Sequence, residues 1–448
     1  MTVVVVGSGG REHALARTLA RTDDVVVTPG NPGMPGLSDE GHRITTSDRL
    51  PEDLDGRLVV IGPEAPLVDG LADRLRADGR AVVGPGADGA RLEGSKAFMK
   101  TVLAEAGVPT ARFGVFDQLD EARAFLDSLP GPWVVKTDGL AAGKGVFVAE
   151  TRAEAEADVA AKLSGTAFGP AGRVVVIEEG LFGPECSLIA LCDGTRAVPL
   201  VPAQDFKRVA DGDRGPNTGG MGAYSPKPGI GAATVDRLMD EAVEPLVAAL
   251  RARGIDYRGV LYAGLMLTPD GPRVLEYNVR LGDPEAQVVL PRLADDPVDL
   301  LLAVAEGRLR DTPRSRPDAA VCVVLAADGY PGEVRRGDPI SGLGPDGQLT
   351  YPVTGVTVFH AGTARPDPEG PFVTDGGRVL GVSAVGPDLE AARRAAYEAT
   401  SRIRWAGAQH RRDVARDAAA AESEALLGSP ALGSPALGVT ANGRGRSS

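Results

Sequence analysis

Lysine is scarce in this chain: seven of 448 residues are Lys, against forty-one Arg. A generic positive charge is therefore usually written as Arg, and each Lys marks a place where a compact, flexible ammonium was preferred to a planar fork. Cysteine is scarcer still. Cys186, Cys192 and Cys322 lie in apolar or mixed runs without metal-ligand spacing, which argues against a disulfide framework or a cysteine zinc site. Free buried thiols in a reducing compartment are expected. Positive charge is in deficit overall, with a net charge of -13, so a nucleic-acid surface is not expected. A locally basic pocket for a small anion remains open. No run approaches the ~20 apolar residues of a membrane helix. The chain enters a strand pattern at Val3 without a basic leader, so a cytoplasmic protein with no membrane partner is expected.

The length points to about three domains. Val3–Val6, Val25–Val27, Leu58–Ile61 and Ala81–Val83 are predicted parallel strands, with helices near Arg11–Thr22 and Leu67–Asp78. That is an open α/β layout, whose ligands bind at the carboxyl ends of strands. Residues 1–95 are assigned to this domain, and 96–312 to a region mixing helices with antiparallel strands, with a smaller lobe at about 110–180. Residues 313–418 form a small α+β carboxyl-terminal domain, introduced by a Pro- and Arg-rich linker at Asp311–Asp318. Its predicted strands are Val321–Leu325, Val356–Phe359 and Val379–Val385, followed by an Ala-rich helix from Asp388. Residues 419–448 repeat Gly-Ser-Pro-Ala-Leu at Gly428 and Gly433 and are expected to be a disordered tail.

Chemistry concentrates in a few motifs. Val134–Val148 holds two β-prone runs around Gly139, Gly143 and Gly145, with Lys136 and Lys144. This is the build of a phosphate lid, or else of a bent hairpin with two incidental lysines. Gly9, Gly10 and Arg11 follow the first strand, where a helix N-terminus suits a monophosphate; Glu12 occupies the position at which a dinucleotide fingerprint wants a small residue. Arg11 and Glu12 read equally well as surface charges on a first helical turn. Glu64, after the third strand, suits sugar hydroxyls. Lys96 faces either phosphate or solvent. Glu178 and Glu179 end a buried-type strand whose edge suits an adenine, with Glu185 placed for a ribose. Asp205, Lys207, Asn217, Thr218, Gly219, Gly220 and Met221 belong to a stretch too charged and glycine-rich for core, either an ordered binding loop or a surface loop. Glu276, Asn278 and Arg280 alternate along a strand and share one face. A carboxylate, an amide and a guanidinium there match Mg²⁺-nucleotide chemistry, or a solvated polar face with an ion pair.

Taken together these motifs resemble the ATP-grasp ligases, and within them the glycinamide ribonucleotide synthetase family. Gly7-Ser8-Gly9-Gly10-Arg11-Glu12-His13-Ala14, Gly62-Pro63-Glu64-Ala65-Pro66-Leu67, Leu92-Glu93-Gly94-Ser95-Lys96-Ala97-Phe98, Asp138–Val146, Gly215–Pro226 and Gly282-Asp283-Pro284-Glu285 occur in the family's order. The resemblance implies an amino-terminal parallel-sheet domain, a two-lobed ATP-grasp region and a small carboxyl-terminal domain. It also implies that ATP, glycine and 5-phosphoribosylamine give glycinamide ribonucleotide, ADP and phosphate in purine biosynthesis; a monomer is expected, though the sequence itself does not fix the oligomeric state. By the same resemblance Lys136, Gly143, Lys144 and Gly145 contact ATP phosphates, Glu185 its ribose, and Glu276 and Asn278 hold Mg²⁺ or Mn²⁺. Arg280 and Lys144 are the expected catalytic pair, and Asp283 joins the substrate contacts. The chain departs from the family in three places. Phe206 stands where His is usual, which keeps a ring but removes a proton carrier. Leu281 replaces Phe, and the strand Val260–Leu267 lacks a further acidic metal ligand. A different ATP-grasp ligase, a nicotinamide oxidoreductase, which Glu12 disfavours, and a non-catalytic nucleotide binder are the competing readings.

Overall fold

The computed structural model describes residues 1–140, 145–165 and 173–428, with side chains to Glu424. Of the tail expected at 419–448, the residues to Gly428 instead complete a helix, Arg416–Gly428; those beyond 428, and Gly143 and Lys144 of the expected lid, lie outside the described residues.

Val3 to Val6 are buried, the signature of a strand covered on both faces. Accordingly Thr2–Gly7 is central in a six-stranded sheet, paired in parallel with Asp24–Pro29 on one side and Leu58–Ile61 on the other. Val82–Val83 closes one edge. The other carries Arg43–Thr46 and an antiparallel Gly36–Leu37, two short elements that the polar sequence there did not signal. The expected helix near Leu67–Asp78 is two pieces, Glu64–Val68 and Leu71–Ala77, broken at Gly70, whose φ of 76° is left-handed.

Helix Lys96–Ala106 starts at Ser95, whose side chain accepts the N–H of Phe98, and stops at left-handed Gly107. It leads into a four-stranded antiparallel sheet ordered Phe113–Phe116, Val175–Glu179, Trp133–Thr137, Val146–Ala149. Helices Leu119–Asp127 and Arg152–Leu163 supply Ala122, Leu126, Ala155 and Val159 to a small core with Val135 and Ile177. That core is separate from the larger ones.

Facing it is the sheet Ala197–Pro199, Glu185–Asp193, Arg258–Thr268, Gly271–Asn278. Another sheet runs Gln204–Asp205, Gly222–Ser225, Ala319–Ala326, Arg378–Gly386, Val356–His360. Gly222–Ser225 pairs directly with Ala319–Ala326, so hydrogen bonding runs across the expected boundary near 313. Helix Leu389–Arg402 covers this sheet with Ala392, Ala396 and Ala399, small residues that let it pack close.

Candidate active site

A cleft of about 610 Å³ opens between the small lobe, the amino-terminal domain and the sheet ending at Asn278. It brings together Arg11, Glu64, Lys96, Lys136, Gly145, Glu178, Glu179, Glu185, Asp205, Lys207, Asn217, Thr218, Gly219, Glu276, Asn278, Arg280 and Asp283. Residues spread over more than 270 positions converge because each sits on a strand, in the first turn of a helix or on a loop facing the gap.

Glu276 and Asn278 lie on adjacent same-face positions opposite Gly264 and Tyr262. Gly264 carries no side chain, so nothing competes for the space in front of Glu276. Burial raises the carboxyl of Glu276, but Lys207, Lys136, Lys96 and Arg280 outweigh it and hold the group below the usual carboxylate range. An ionised carboxylate beside an amide oxygen fits a hard divalent cation that takes its other ligands from phosphate and water. No cluster of three His, Cys, Asp or Glu side chains placed to hold a metal occurs among the described residues.

Arg280 is anchored rather than loose. Its Nη2 lies 2.6 Å from Oε1 of Glu93 and 3.2 Å from Oδ1 of Asn278, and its Nε is 3.3 Å from Oε2 of Glu64. Lys207 reaches Glu185 at 3.1 Å and Glu276 at 3.9 Å. Lys136 donates to the carbonyl of Leu275 at 3.0 Å and pairs with Glu178 at 2.7 Å. Lys96 reaches the carbonyl of Gly139 at 3.5 Å, and Asp138 accepts from Ser95 and from the N–H of Ala97, both at 3.0 Å. Burial raises Asp205; Lys207 opposes this, while Glu285, Glu185 and Glu276 add to it, leaving its carboxyl well above the ordinary range.

Several expectations change in detail. Arg11 and Glu12 are buried, not surface charges. Glu12 reaches back to accept the N–H of Gly9 at 2.7 Å and pairs with Arg11 at 2.6 Å, so a carboxylate of the chain itself caps the helix where an incoming phosphate was expected. Gly9 and Gly10 are not among the cleft-lining residues; a Cβ on Gly10 would lie 2.7 Å from Gln287 Nε2. Gly220 and Met221 do not line the cleft either. Gly220 packs on Pro284, and Met221 is buried, its N–H bonded to the carbonyl of Phe206. Glu178 points between two lysines rather than along a free strand edge. Glu179 accepts the N–H of Arg112 at 2.8 Å.

The sequence reading gave no role to Glu93, Arg378 or Tyr330. Arg378 reaches in from the carboxyl-terminal sheet, donating to the carbonyls of Gly219 at 2.6 Å and Asp283 at 2.5 Å and pairing with the Asp283 carboxylate at 3.1 Å. The hydroxyl of Tyr330 accepts the N–H of Gly219 at 3.0 Å. Both peptide groups of Gly219 are thus held from a domain more than a hundred residues away. Gly376-Gly377 before Arg378 was the one local cue that a backbone passes closely there. Phe206 stacks between Tyr224, at 6.0 Å between centroids, and the guanidinium of Arg411, at 4.6 Å. Phe206 is not among the cleft-lining residues; it packs against the carboxyl-terminal core.

A small lobe over a cleft whose far wall offers a carboxylate and an amide at the end of one strand, with a guanidinium two residues beyond it, defines the ATP-grasp class. Phosphoribosylglycinamide synthetase family profiles match three successive stretches: the N domain over residues 1–93, the ATP-grasp (A) domain over 94–286 and the C domain over 320–417. The chain belongs to this family. It is 48% identical over 423 residues to a phosphoribosylamine–glycine ligase of Caulobacter vibrioides, covering 92% of this chain and 97% of that one. It is likewise 48% identical over 431 residues to that of Streptomyces coelicolor, covering 94% and 100%. Among solved structures, the phosphoribosylamine–glycine ligase of Thermotoga maritima superposes with a TM-score of 0.78 at 36% identity, covering 92% of this chain and all of that one. The biotin carboxylase domain of Hydrogenobacter thermophilus 2-oxoglutarate carboxylase, in complex with MgADP, shares the fold at 17% identity, with a TM-score of 0.67 and 91% coverage of both chains.

Proposed function

We propose that the cleft joins glycine to 5-phospho-D-ribosylamine at the expense of ATP, giving glycinamide ribonucleotide, ADP and phosphate. The observation that carries this is the convergence of Lys96 and Lys136 with Glu276, Asn278 and Arg280 around one cleft in a chain of this family. A carboxylate is a poor acyl donor, and phosphorylation supplies a leaving group. Glycine's carboxylate oxygen attacks the γ-phosphorus and ADP leaves. The amine of phosphoribosylamine then attacks the carbonyl carbon of glycyl phosphate, and the C–O bond to phosphate breaks. Lys136 and Lys144 would bind phosphates, and Arg280, fixed by Glu93 and Glu64, would neutralise the transferring group. Glu276 and Asn278 would hold Mg²⁺ or Mn²⁺, which supplies charge neutralisation on phosphate oxygens when bound.

Lobe closure would keep water from the acyl phosphate. Asn217, Thr218 and Gly219, the last held by Arg378 and Tyr330, would form the substrate side together with Asp205, Lys207, Glu64, Arg11 and Asp283. No helix among the described residues is long and apolar enough to cross a membrane, and all three cysteines are free and buried, which together support a cytoplasmic setting.

The test is ADP release by the purified protein. Release that requires glycine, phosphoribosylamine and a divalent cation together is expected, and chelation with EDTA stops it. Equal release with another carboxylate and amine would favour a different ATP-grasp ligase. Glu276→Ala and Lys144→Ala should each lower turnover by at least about a hundredfold; near-normal turnover at saturating ATP and Mg²⁺ would remove those residues from the site.

A further inference from the structure

Beneath the small lobe lie three charged side chains that water barely reaches: Lys100 at 0% exposure, Glu178 at 2% and Lys136 at 6%. They come from three elements, helix Lys96–Ala106 and strands Val175–Glu179 and Trp133–Thr137. Nζ of Lys100 is 2.8 Å from Oε2 of Glu178, and Nζ of Lys136 is 2.7 Å from Oε1. Each carboxylate oxygen therefore has its own ammonium. Lys136 faces the cleft, while Lys100 lies behind it, donating to the Thr110 hydroxyl at 2.7 Å under the ring of Phe113. Thr110 in turn donates to the carbonyl of Val274, and Lys136 to that of Leu275, on the strand that carries Glu276.

A buried carboxylate with a single lysine would grip it, because removing either partner strands a charge away from water. Lys136 could then reach a phosphate only by leaving Glu178 unpaired. With Lys100 in place the carboxylate keeps an ammonium whichever way Lys136 turns. We propose that Lys100 is a positioning residue for nucleotide binding, keeping Glu178 paired while Lys136 exchanges its bond to that carboxylate for a triphosphate oxygen. This rests on the reading that Lys136 contacts ATP in the cleft.

The titration of the cluster fits. Burial lowers Lys100 to about 8, with Glu178 opposing and Lys136 adding to the shift. Those two are the charged groups facing it; Thr110 and Phe113 are uncharged. Above that pH Lys100 loses its proton, Glu178 keeps Lys136 as its one partner, and ATP should bind more weakly.

The experiment is steady-state kinetics on the full chain, varying ATP at saturating glycine and phosphoribosylamine. Lys100→Met is expected to raise the KM for ATP about tenfold or more, with the KM for glycine changed less than about twofold. The charge-balanced double variant Lys100→Met/Glu178→Gln frees Lys136 again and should return the KM for ATP to within about threefold of wild type. Wild type should show a rise in the KM for ATP above pH 8 that Lys100→Met lacks. An unchanged KM for ATP in Lys100→Met, or a double variant no better than the single one, would overturn the proposal. If Lys100→Met does not fold, the double variant and the wild-type pH profile decide: a near-normal KM with a rise above pH 8 supports it, and a flat profile sinks it. Lys136→Met separates the underlying reading. If that variant still binds ATP by calorimetry, the assignment of Lys136 falls; if it does not and Lys100→Met binds normally, the role of Lys100 alone falls.

Discussion

Glu93 holds Arg280 by two routes at once: Oε1 lies 2.6 Å from the guanidinium, and Oε2 accepts the backbone N–H of Val279, between Asn278 and Arg280, at 2.8 Å. One carboxylate thus sets both the side chain and the strand that carries the proposed metal ligands. Glu93→Ala should cost about 1–3 kcal/mol, the range for stranding the partners of a partly buried, charge-assisted hydrogen bond. Turnover should fall at least about tenfold, because Arg280 is no longer fixed against the transferring phosphoryl. Glu93→Gln keeps an acceptor for Val279 and should fall between. Thermal melts read the first effect, and kcat at saturating substrates the second.

Glu12 makes a similar demand on the backbone around it. A Cβ on Gly62 would lie 2.1 Å from its Oε1, and one on Gly7 2.6 Å from its Cγ. The first glycine of each amino-terminal motif is therefore required by the carboxylate packed between them. Gly62→Ala should lower stability by about 1–3 kcal/mol through overpacking. Gly62→Ala combined with Glu12→Ala should recover part of the packing loss while giving up the bond to Gly9. A lower thermal midpoint in the single variant, partly restored in the double, is the outcome to look for.

Periodic and local features were legible in the sequence. The buried run Val3–Val6, the paired runs about Gly139 and the alternation Glu276-Asn278 each follow from spacing alone, and the structure places them as strands, the last on the cleft wall; Arg280, expected on that same strand, lies two residues beyond its end and still lines the cleft. Features that depend on distant partners were not. Nothing near Glu93 says that it meets Arg280, 187 positions away, and nothing near Arg378 says that it meets Gly219, 159 positions away. Burial is equally silent. Arg11 and Glu12 look like a solvated first turn because a capping carboxylate and a surface carboxylate have the same sequence. Nothing in the sequence around Lys100 signals Glu178, since only the fold brings that carboxylate over it.

Acid should weaken the seam between the first and last domains. His13 accepts the N–H of His360 at Nδ1 at 2.9 Å, and His360 meets Thr363 at 3.0 Å and the carbonyl of Gly347 at 2.8 Å. Burial lowers His360 to about 4, against the bond to Gly347 and the charge of Asp346, and burial lowers His13 well below its ordinary value too. The unfolded chain takes up these protons near pH 6.5 and the folded chain does not. Stability from His360 is therefore complete above pH 6.5 and declines as pH falls towards 4, by about 3 kcal/mol in all. Unfolding midpoints between pH 7 and 4 should drop more steeply in wild type than in His360→Gln; identical slopes would mean that the seam does not exclude the proton.

Leu281 faces away from the chemistry, into an apolar space. With Leu15, Leu19, Val60, Leu191, Val260 and Leu290 it borders a cavity of about 30 Å³ between the first sheet and the central one. The resemblance places Phe at this position, and a smaller side chain leaves such a gap when its neighbours cannot close in. At roughly 24 cal/mol per Å³, an empty volume of this size costs about 0.7 kcal/mol. Leu281→Phe should recover about that much, unless the ring forces Leu15 or Leu290 out of its rotamer, in which case the sign reverses. Leu281→Ala should cost about 2–5 kcal/mol. Because Arg11 and Arg280 both donate to the carbonyl of Leu281 at 3.2 Å, the backbone is held independently of the side chain. Chemical denaturation should therefore report the change in stability for Leu281→Phe while the KM values for ATP and glycine stay within about twofold of wild type; a large shift in either would mean that the cavity controls the position of Arg280.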